Sequence, residues 1–111
     1  MAKYLEALDD VFAALADPTR RAVVGTLGPG PASVGNLAQA ADMTLPSFMK
    51  HVRTLEACGL IHTAKSGRVR TCTLDRKRLE VVDRWLDEQR ALWESRTDRL
   101  EQFVTKPRRT S

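Results

Sequence analysis

Apolar residues between Tyr4 and Leu15 recur at Tyr4, Leu8, Val11 and Leu15, steps of four, three and four, with Leu5 and Phe12 widening the stripe. That spacing predicts an amphipathic helix. "DPTRRAVVGTLG" follows, with Asp17 suited to cap a second helix and Pro18 at its first position, where a missing N–H costs nothing. Gly28 ends it, and "GPGP" at 28–31 is a turn that no helix can cross. Ser33 is placed to cap a short third helix, "VGNLAQAA", and "DMT" at 42–44 separates it from a fourth. Thr44 caps that fourth helix, Pro46 is tolerated in its first turn, and Gly59 suits the left-handed position past its end. Leu45, Phe48, Val52 and Leu55 share its apolar side, whereas Ser47, Lys50, Arg53 and Thr54 share the other. Two helices joined by a short turn are the parts of a helix-turn-helix.

The pattern then changes period. Leu60–Ala64 and Val69–Leu74 are rich in β-branched residues, with "KSGR" between them, and predict a two-stranded hairpin turning at Ser66–Gly67. In the second strand Val69, Thr71 and Thr73 point one way and Arg70, Cys72 and Leu74 the other. Such a ribbon is marginal alone and must lean on the helices. Asp75 can cap a last helix running from Arg76 to Val104. Its apolar positions Leu86, Trp93 and Leu100 recur every seven residues, with Trp85 and Leu92 repeating the step beside them. The expected fold is therefore mainly α with a two-stranded β-hairpin wing, a winged helix-turn-helix dimerising through its first and last helices. Residues 1–105 form one domain for DNA binding and dimerisation, and 106–111 form a basic disordered tail.

Length and composition fit this frame. One domain is the norm for 111 residues, and with 42% hydrophobic residues a core needs no metal or disulfide. The net charge of +4 is unevenly distributed. Residues 44–78 carry eight Lys/Arg against two acids, Glu56 and Asp75, whereas residues 79–105 carry seven acids against four arginines. A basic middle between acidic ends implies two surfaces with different jobs. Two cysteines are too few for a disulfide-stapled secreted domain, and neither a signal peptide nor a membrane span is present, so a cytoplasmic protein with no membrane partner is expected.

The candidate chemistry is nucleic-acid recognition. The second helix of a helix-turn-helix fits the major groove, and a basic wing reaches the backbone beside it. The candidate DNA-binding residues are Ser47, Lys50, His51, Arg53 and Thr54 on the fourth helix, with Lys65, Arg68 and Arg70 on the hairpin. Charged outer faces are usually only solvated. Here helix, turn, helix and basic hairpin stand in register where the charge peaks, which shifts the balance to double-stranded DNA. Met49 lies between the two faces of the fourth helix, and core packing or a thymine-methyl contact both remain open. Trp85 and Trp93 need burial, and packing against the first and last helices of a second subunit supplies it. The dimer residues expected are Tyr4, Leu8, Val11, Trp85, Leu86, Leu92, Trp93 and Leu100. Cys58 and Cys72 lack Cys-x-x-Cys spacing, and a redox-sensing pair is the weaker alternative to plain buried thiols. His51 and His62 have no nearby Cys or carboxylate at ligand spacing. No Gly-rich phosphate loop, His-Glu metalloprotease pair or nucleophile elbow is present, so no enzyme is expected.

"VFAALADPTRRAVVGTL", "LAQAADMTLPSFMKHVRTLEACGLI" and "SGRVRTCTLD" resemble the ArsR/SmtB family of bacterial winged-helix repressors, over about residues 8–75. "ALADPTRR" before an aliphatic pair, and His51-Val52 followed by Leu55, Gly59 and Leu60, carry the resemblance. It implies a homodimer that represses transcription from an inverted-repeat operator. The chain departs from the family's metal sensors. Where those carry Cys-x-Cys it has Val34 and Asn36, and the last helix has Asp83 and Asp87 but no His, so neither zinc-type site can be built and no metal or cofactor is expected. Met49 stands where relatives often have Ser, which removes one phosphate contact. A small apolar effector between the last helix and the core is compatible with the sequence, and its identity is not readable. The reading from a different class is a winged-helix protein-interaction module without DNA binding.

Overall fold

Side chains at the helix starts set the frame. Asp17 Oδ2 accepts from the Arg20 backbone N–H at 3.0 Å, Ser33 Oγ from that of Asn36 at 3.1 Å, and Thr44 Oγ1 from that of Ser47 at 3.4 Å. Each satisfies an N–H that the first helical turn leaves without a partner. The computed structural model describes the backbone of residues 2–104 and the side chains of residues 2–97. The helices are α1 (Ala2–Leu15), α2 (Pro18–Leu27), α3 (Val34–Ala40), α4 (Leu45–Ala57) and α5 (Arg76–Val104), and the strands are β1 (Ala32–Ser33), β2 (Ile61–Ser66) and β3 (Val69–Leu74). The Leu100 side chain and the tail 106–111 lie outside the described residues.

The sheet corrects one expectation. It has three antiparallel strands in the order β1-β3-β2, not two. Ala32 pairs with Cys72 and Ser33 with Thr71 on the edge of β3 away from β2. A two-residue strand is too short to show a period, and Ser33 is also the cap of α3, so the sequence signals only a helix start there. In β2 and β3 the register Ile61↔Leu74, Thr63↔Cys72 and Lys65↔Arg70 puts these six residues on one face. At its root that face looks inward, since Ile61 and Cys72 are fully buried, and toward the tip it opens, with Lys65 exposed.

The core joins the apolar sides of α1 to α4 with the root of the sheet: Val11, Ala14, Val23, Leu27, Leu37, Phe48, Val52, Leu55, Leu60, Ile61 and Cys72 all belong to it. Phe48, Val52 and Leu55 bury as the pattern predicts, and Leu45 does not, remaining 52% exposed. The first turn of α4 projects past the body it packs on, so a residue in the stripe there has nothing to cover it. Gly59 adopts φ +84°, which favours glycine after α4, and a Cβ on it would also displace the Arg78 guanidinium, 2.7 Å away at Nε. Gly67, at φ +62°, makes the hairpin turn.

Arginines in "DPTRR" hold the first helix junction. Arg20 Nε donates to Ala14 O at 2.7 Å and its NH2 to Ala13 O at 3.2 Å, while Arg21 NH1 donates to Leu15 O at 2.8 Å. They satisfy carbonyls at the negative end of α1. Arg76 NH2 donates to Gly28 O and ties the start of α5 to the "GPGP" turn. Asp75 Oδ1 accepts from the N–H groups of Lys77 and Arg78 at 3.0 and 3.3 Å, capping α5. Along α1, α5 is covered by the edge-to-face pair of Phe12 and Trp85, centroids 5.6 Å apart, and Arg84 lies 3.9 Å from the centroid of the Tyr4 ring.

Phe48 is the largest side chain with no exposed surface. Phe48→Ala should cost about 3–5 kcal/mol of unfolding free energy, read as a lower urea midpoint. A second expectation concerns acid. His62 Nε2 donates to Asp75 Oδ2 at 2.7 Å, and this bond, aided by the Arg78 and Lys77 amides, holds the Asp75 carboxyl below its ordinary value of 3.8. A lowered carboxylate stabilises the fold at pH above its unfolded value and ceases to as pH falls through the folded one. Asp75→Asn keeps a capping side chain but no charge, so its urea midpoint should fall less than that of the wild type on acidification through and below 3.8.

Candidate nucleic-acid interface

Because Phe48, Val52 and Leu55 face the core, the helical period turns Ser47, Lys50, Arg53 and Thr54 outward, and all four are exposed. Thr54 Oγ1 donates back to Lys50 O at 3.1 Å, so its hydroxyl proton is engaged on its own helix. Ser47 sits in the first turn of α4, where free backbone N–H groups favour an anion. Lys65 and Arg68 are exposed at the wing tip. Among the described residues no carboxylate lies within ion-pair distance of Lys50, Arg53, Lys65 or Arg68.

The two acids of this basic segment are both engaged. Asp75 caps α5 and accepts from His62. Glu56 Oε2 accepts from Thr63 Oγ1 at 2.8 Å. The outward cations are therefore left uncompensated, which concentrates positive potential on the recognition helix and the wing.

Two candidates lie elsewhere than the sequence suggests. Arg70 is on the inner face of the sheet, and its NH1 donates to Thr63 Oγ1 at 3.1 Å. His51 is half-buried, with Nδ1 3.2 Å from Arg20 NH1 and 3.7 Å from Asp17 Oδ2. Guanidinium can only donate, so this contact makes Nδ1 the acceptor and leaves the ring proton on Nε2. The Asp17 carboxyl is lowered, chiefly by the Arg20 amide bond; burial, the next largest effect, opposes this, and the charges of a protonated His51 and of Arg20 lower it further. Both histidines thus have carboxylate neighbours, contrary to the expectation from spacing. The partners, Asp17 and Asp75, lie 34 and 13 residues away along the chain, beyond any local pattern. Met49 packs against the core. The exposed apolar residue on α4 is Leu45 instead.

Both thiols are buried. Cys58 Sγ donates to Leu55 O at 3.3 Å. Burial pushes the Cys72 thiol up, and the nearby Glu56 charge adds to it while Arg70 opposes it. A raised, inaccessible thiol is a poor nucleophile and a poor redox sensor. Among the described residues no group of three or more His, Cys, Asp or Glu is placed to hold a metal ion.

The dimer candidates also divide. Leu8 and Val11 are buried in the chain's own core, a correction to their assignment to an open face. The stripe of α1 is wide enough to have an inner and an outer half, and these two belong to the inner one. Trp85 and Leu86 are half-buried, Trp85 against Phe12. Tyr4 is half-buried and its hydroxyl has no hydrogen-bond partner among the described residues. Leu92 and Trp93 are exposed, 49% and 53%, and Leu5 at 51% is exposed on α1.

Comparison with known proteins agrees with this geometry. A helix-turn-helix domain family matches residues 15–64. The HTH-type transcriptional regulator Rv2034 of Mycobacterium tuberculosis is 35% identical over 79 residues, 71% of this chain and 74% of its own. The transcriptional repressor SdpR of Bacillus subtilis is 27% identical over 79 residues, 71% of this chain and 88% of its own. A crystal structure of an ArsR family transcriptional regulator is 57% identical and superposes with a TM-score of 0.80, over 86% of this chain and 98% of that one. With this identity over nearly the whole of a family member, and with the helix-turn-helix and wing in place, the chain belongs to the ArsR family of winged helix-turn-helix transcriptional regulators.

Proposed function

We propose that the protein is a repressor that binds an inverted-repeat operator in double-stranded DNA as a homodimer. The observation that carries this reading is the row of cations on the outer face of α4 and the wing tip, Lys50, Arg53, Lys65 and Arg68, with no carboxylate beside them among the described residues. A helix presenting Lys and Arg to the major groove can donate to guanine O6 and N7 or to phosphate. Leu45, exposed in the first turn of α4, adds an apolar contact suited to a thymine methyl. Lys65 and Arg68 reach the backbone flanking the groove. SdpR, a relative named as a transcriptional repressor, supports the sign of regulation.

The second copy has a place to dock. Leu5 on α1 and Leu92 and Trp93 on α5 leave large apolar surface open in the single chain. Burying an exposed Trp or Leu contributes about 1.5–3 kcal/mol apiece, and a two-fold axis through α5 covers each patch with its own copy. Binding an inverted repeat requires such a pair to hold its two α4 helices about 34 Å apart, one turn of DNA.

Titrating salt against binding tests the DNA reading. Affinity for an operator selected from random duplexes should fall linearly in log–log with salt, and Lys65→Ala or Arg68→Ala should each reduce the slope by about 0.9. Lys50→Ala and Arg53→Ala should weaken the selected operator more than random duplex. Equal losses on both would reduce these residues to phosphate contacts. A slope near zero would leave the winged-helix protein-interaction reading. For the dimer, Trp93→Glu should sediment as a monomer at micromolar concentration where the wild type sediments as a dimer.

A further inference from the structure

The acid at Glu56 is out of place for a DNA-binding helix. It stands in the last turn of α4, the negative end of the helix dipole, and within the segment richest in cations. A free carboxylate there would repel phosphate. Its oxygen is instead bonded to Thr63 on β2, and the same Thr63 hydroxyl is bonded to Arg70 on β3.

A threonine hydroxyl has one proton and two lone pairs. Here the proton goes to Glu56 Oε2 at 2.8 Å and a lone pair takes Arg70 NH1 at 3.1 Å. Both bonds have an ionised partner, which makes them stronger than neutral ones, and each polarises the other. The three side chains come from three elements. Thr63 and Arg70 share the inner face of the sheet, and the wing cations follow directly: Lys65 is the next inner-face residue after Thr63, and Arg68 lies in the turn before β3.

We propose that the Glu56–Thr63–Arg70 chain fixes the angle of the wing to the recognition helix, with Arg70 a positioning residue that serves DNA binding through the wing and does not touch a phosphate. The proposal rests on the DNA-binding reading above. The hydroxyl is its centre, because here it donates to the carboxylate and accepts from the guanidinium at once, and valine at this position keeps the shape while removing both bonds.

Thr63→Val, Thr63→Ser and Arg70→Gln test it on the full chain, by affinity for the selected operator across a salt series, with the urea midpoint as the control for folding. Thr63→Val should lose about tenfold in affinity, the cost of ordering a loosened wing on binding, with the salt slope unchanged and the urea midpoint lowered in a chain that is still folded under the binding conditions. Thr63→Ser should bind as the wild type. Amides at Gly67 and Arg68 should exchange faster in free Thr63→Val than in the free wild type. Arg70→Gln should also lose affinity at constant slope. The proposal is overturned if Thr63→Val binds as tightly as the wild type, if serine fails to rescue, or if Arg70→Gln lowers the slope by about 0.9, the signature of one lost phosphate contact. A wild type that binds no duplex would instead sink the DNA reading itself, and the exchange of the free protein would then report the tie alone.

Discussion

Complete burial of Phe48, Val52 and Leu55 is the constraint on which the interface depends. An α-helix advances by a fixed angle per residue, so three side chains locked into the core set the azimuth of all the others. Ser47, Lys50, Arg53 and Thr54 do not need their own interactions to face outward. They face outward because the opposite side has no freedom to turn. The same packing explains why Phe48 lies deep in the core cluster with Leu37, Leu60 and Ile61 around the helix-turn-helix. Stability and DNA-facing geometry are thus one property, read from two sides of a helix.

Charge follows a similar logic. A basic segment interrupted by two carboxylates would offer a weaker field than its composition suggests. Each carboxylate is engaged by the fold, Asp75 as a cap and Glu56, though exposed, as an acceptor for Thr63, and several cations are engaged as well. Arg70 turns inward, Arg76 holds Gly28, and Arg78 lies against Gly59. The cations left on α4 and the wing tip are fewer than the count from sequence, and none faces an acid among the described residues. The potential that remains is better localised than the raw excess of charge.

Most of this architecture was legible because it rests on local signals. Capping residues, Pro at first helical positions, the seven-residue repeat of the last helix and the period change at Leu60 each report on neighbours in the chain. The features that escaped are those set by distant partners. Strand β1 is two residues long and pairs with a strand 40 residues away. His51 and His62 meet carboxylates from other elements. Leu8 and Val11 carry the same periodic signal as Leu5 and Phe12, and only the packing of α1 against α2 and α5 separates inner from outer. Leu45 continues the stripe of Phe48 and Val52, but the end of a helix can outrun the body beneath it. The one missed residue with a readable sequence signal was Glu56, an acid where a basic face is expected.

The wing then presents a mechanical question, because a hairpin of two strands has little rigidity of its own. Three ties answer it. At the root, Asp75 N–H donates to Leu60 O at 2.8 Å and Ile61 is buried. In the middle, β1 pairs with Thr71 and Cys72 on one edge. Level with Cys72, Thr63 reaches back to Glu56 on α4 and accepts from Arg70, which lies nearer the tip. Beyond that last tie stand only the Ser66–Val69 pair and the turn around Gly67; Lys65 pairs with Arg70 at the tie itself, and Arg68 lies in the turn. A groove contact by α4 and a backbone contact by the wing must be made together, so a loose wing would lose conformational freedom on binding and bind less tightly for it. Holding the strands together through Thr63 and Arg70 removes that cost from the frame while leaving the two long cationic side chains free to find a phosphate.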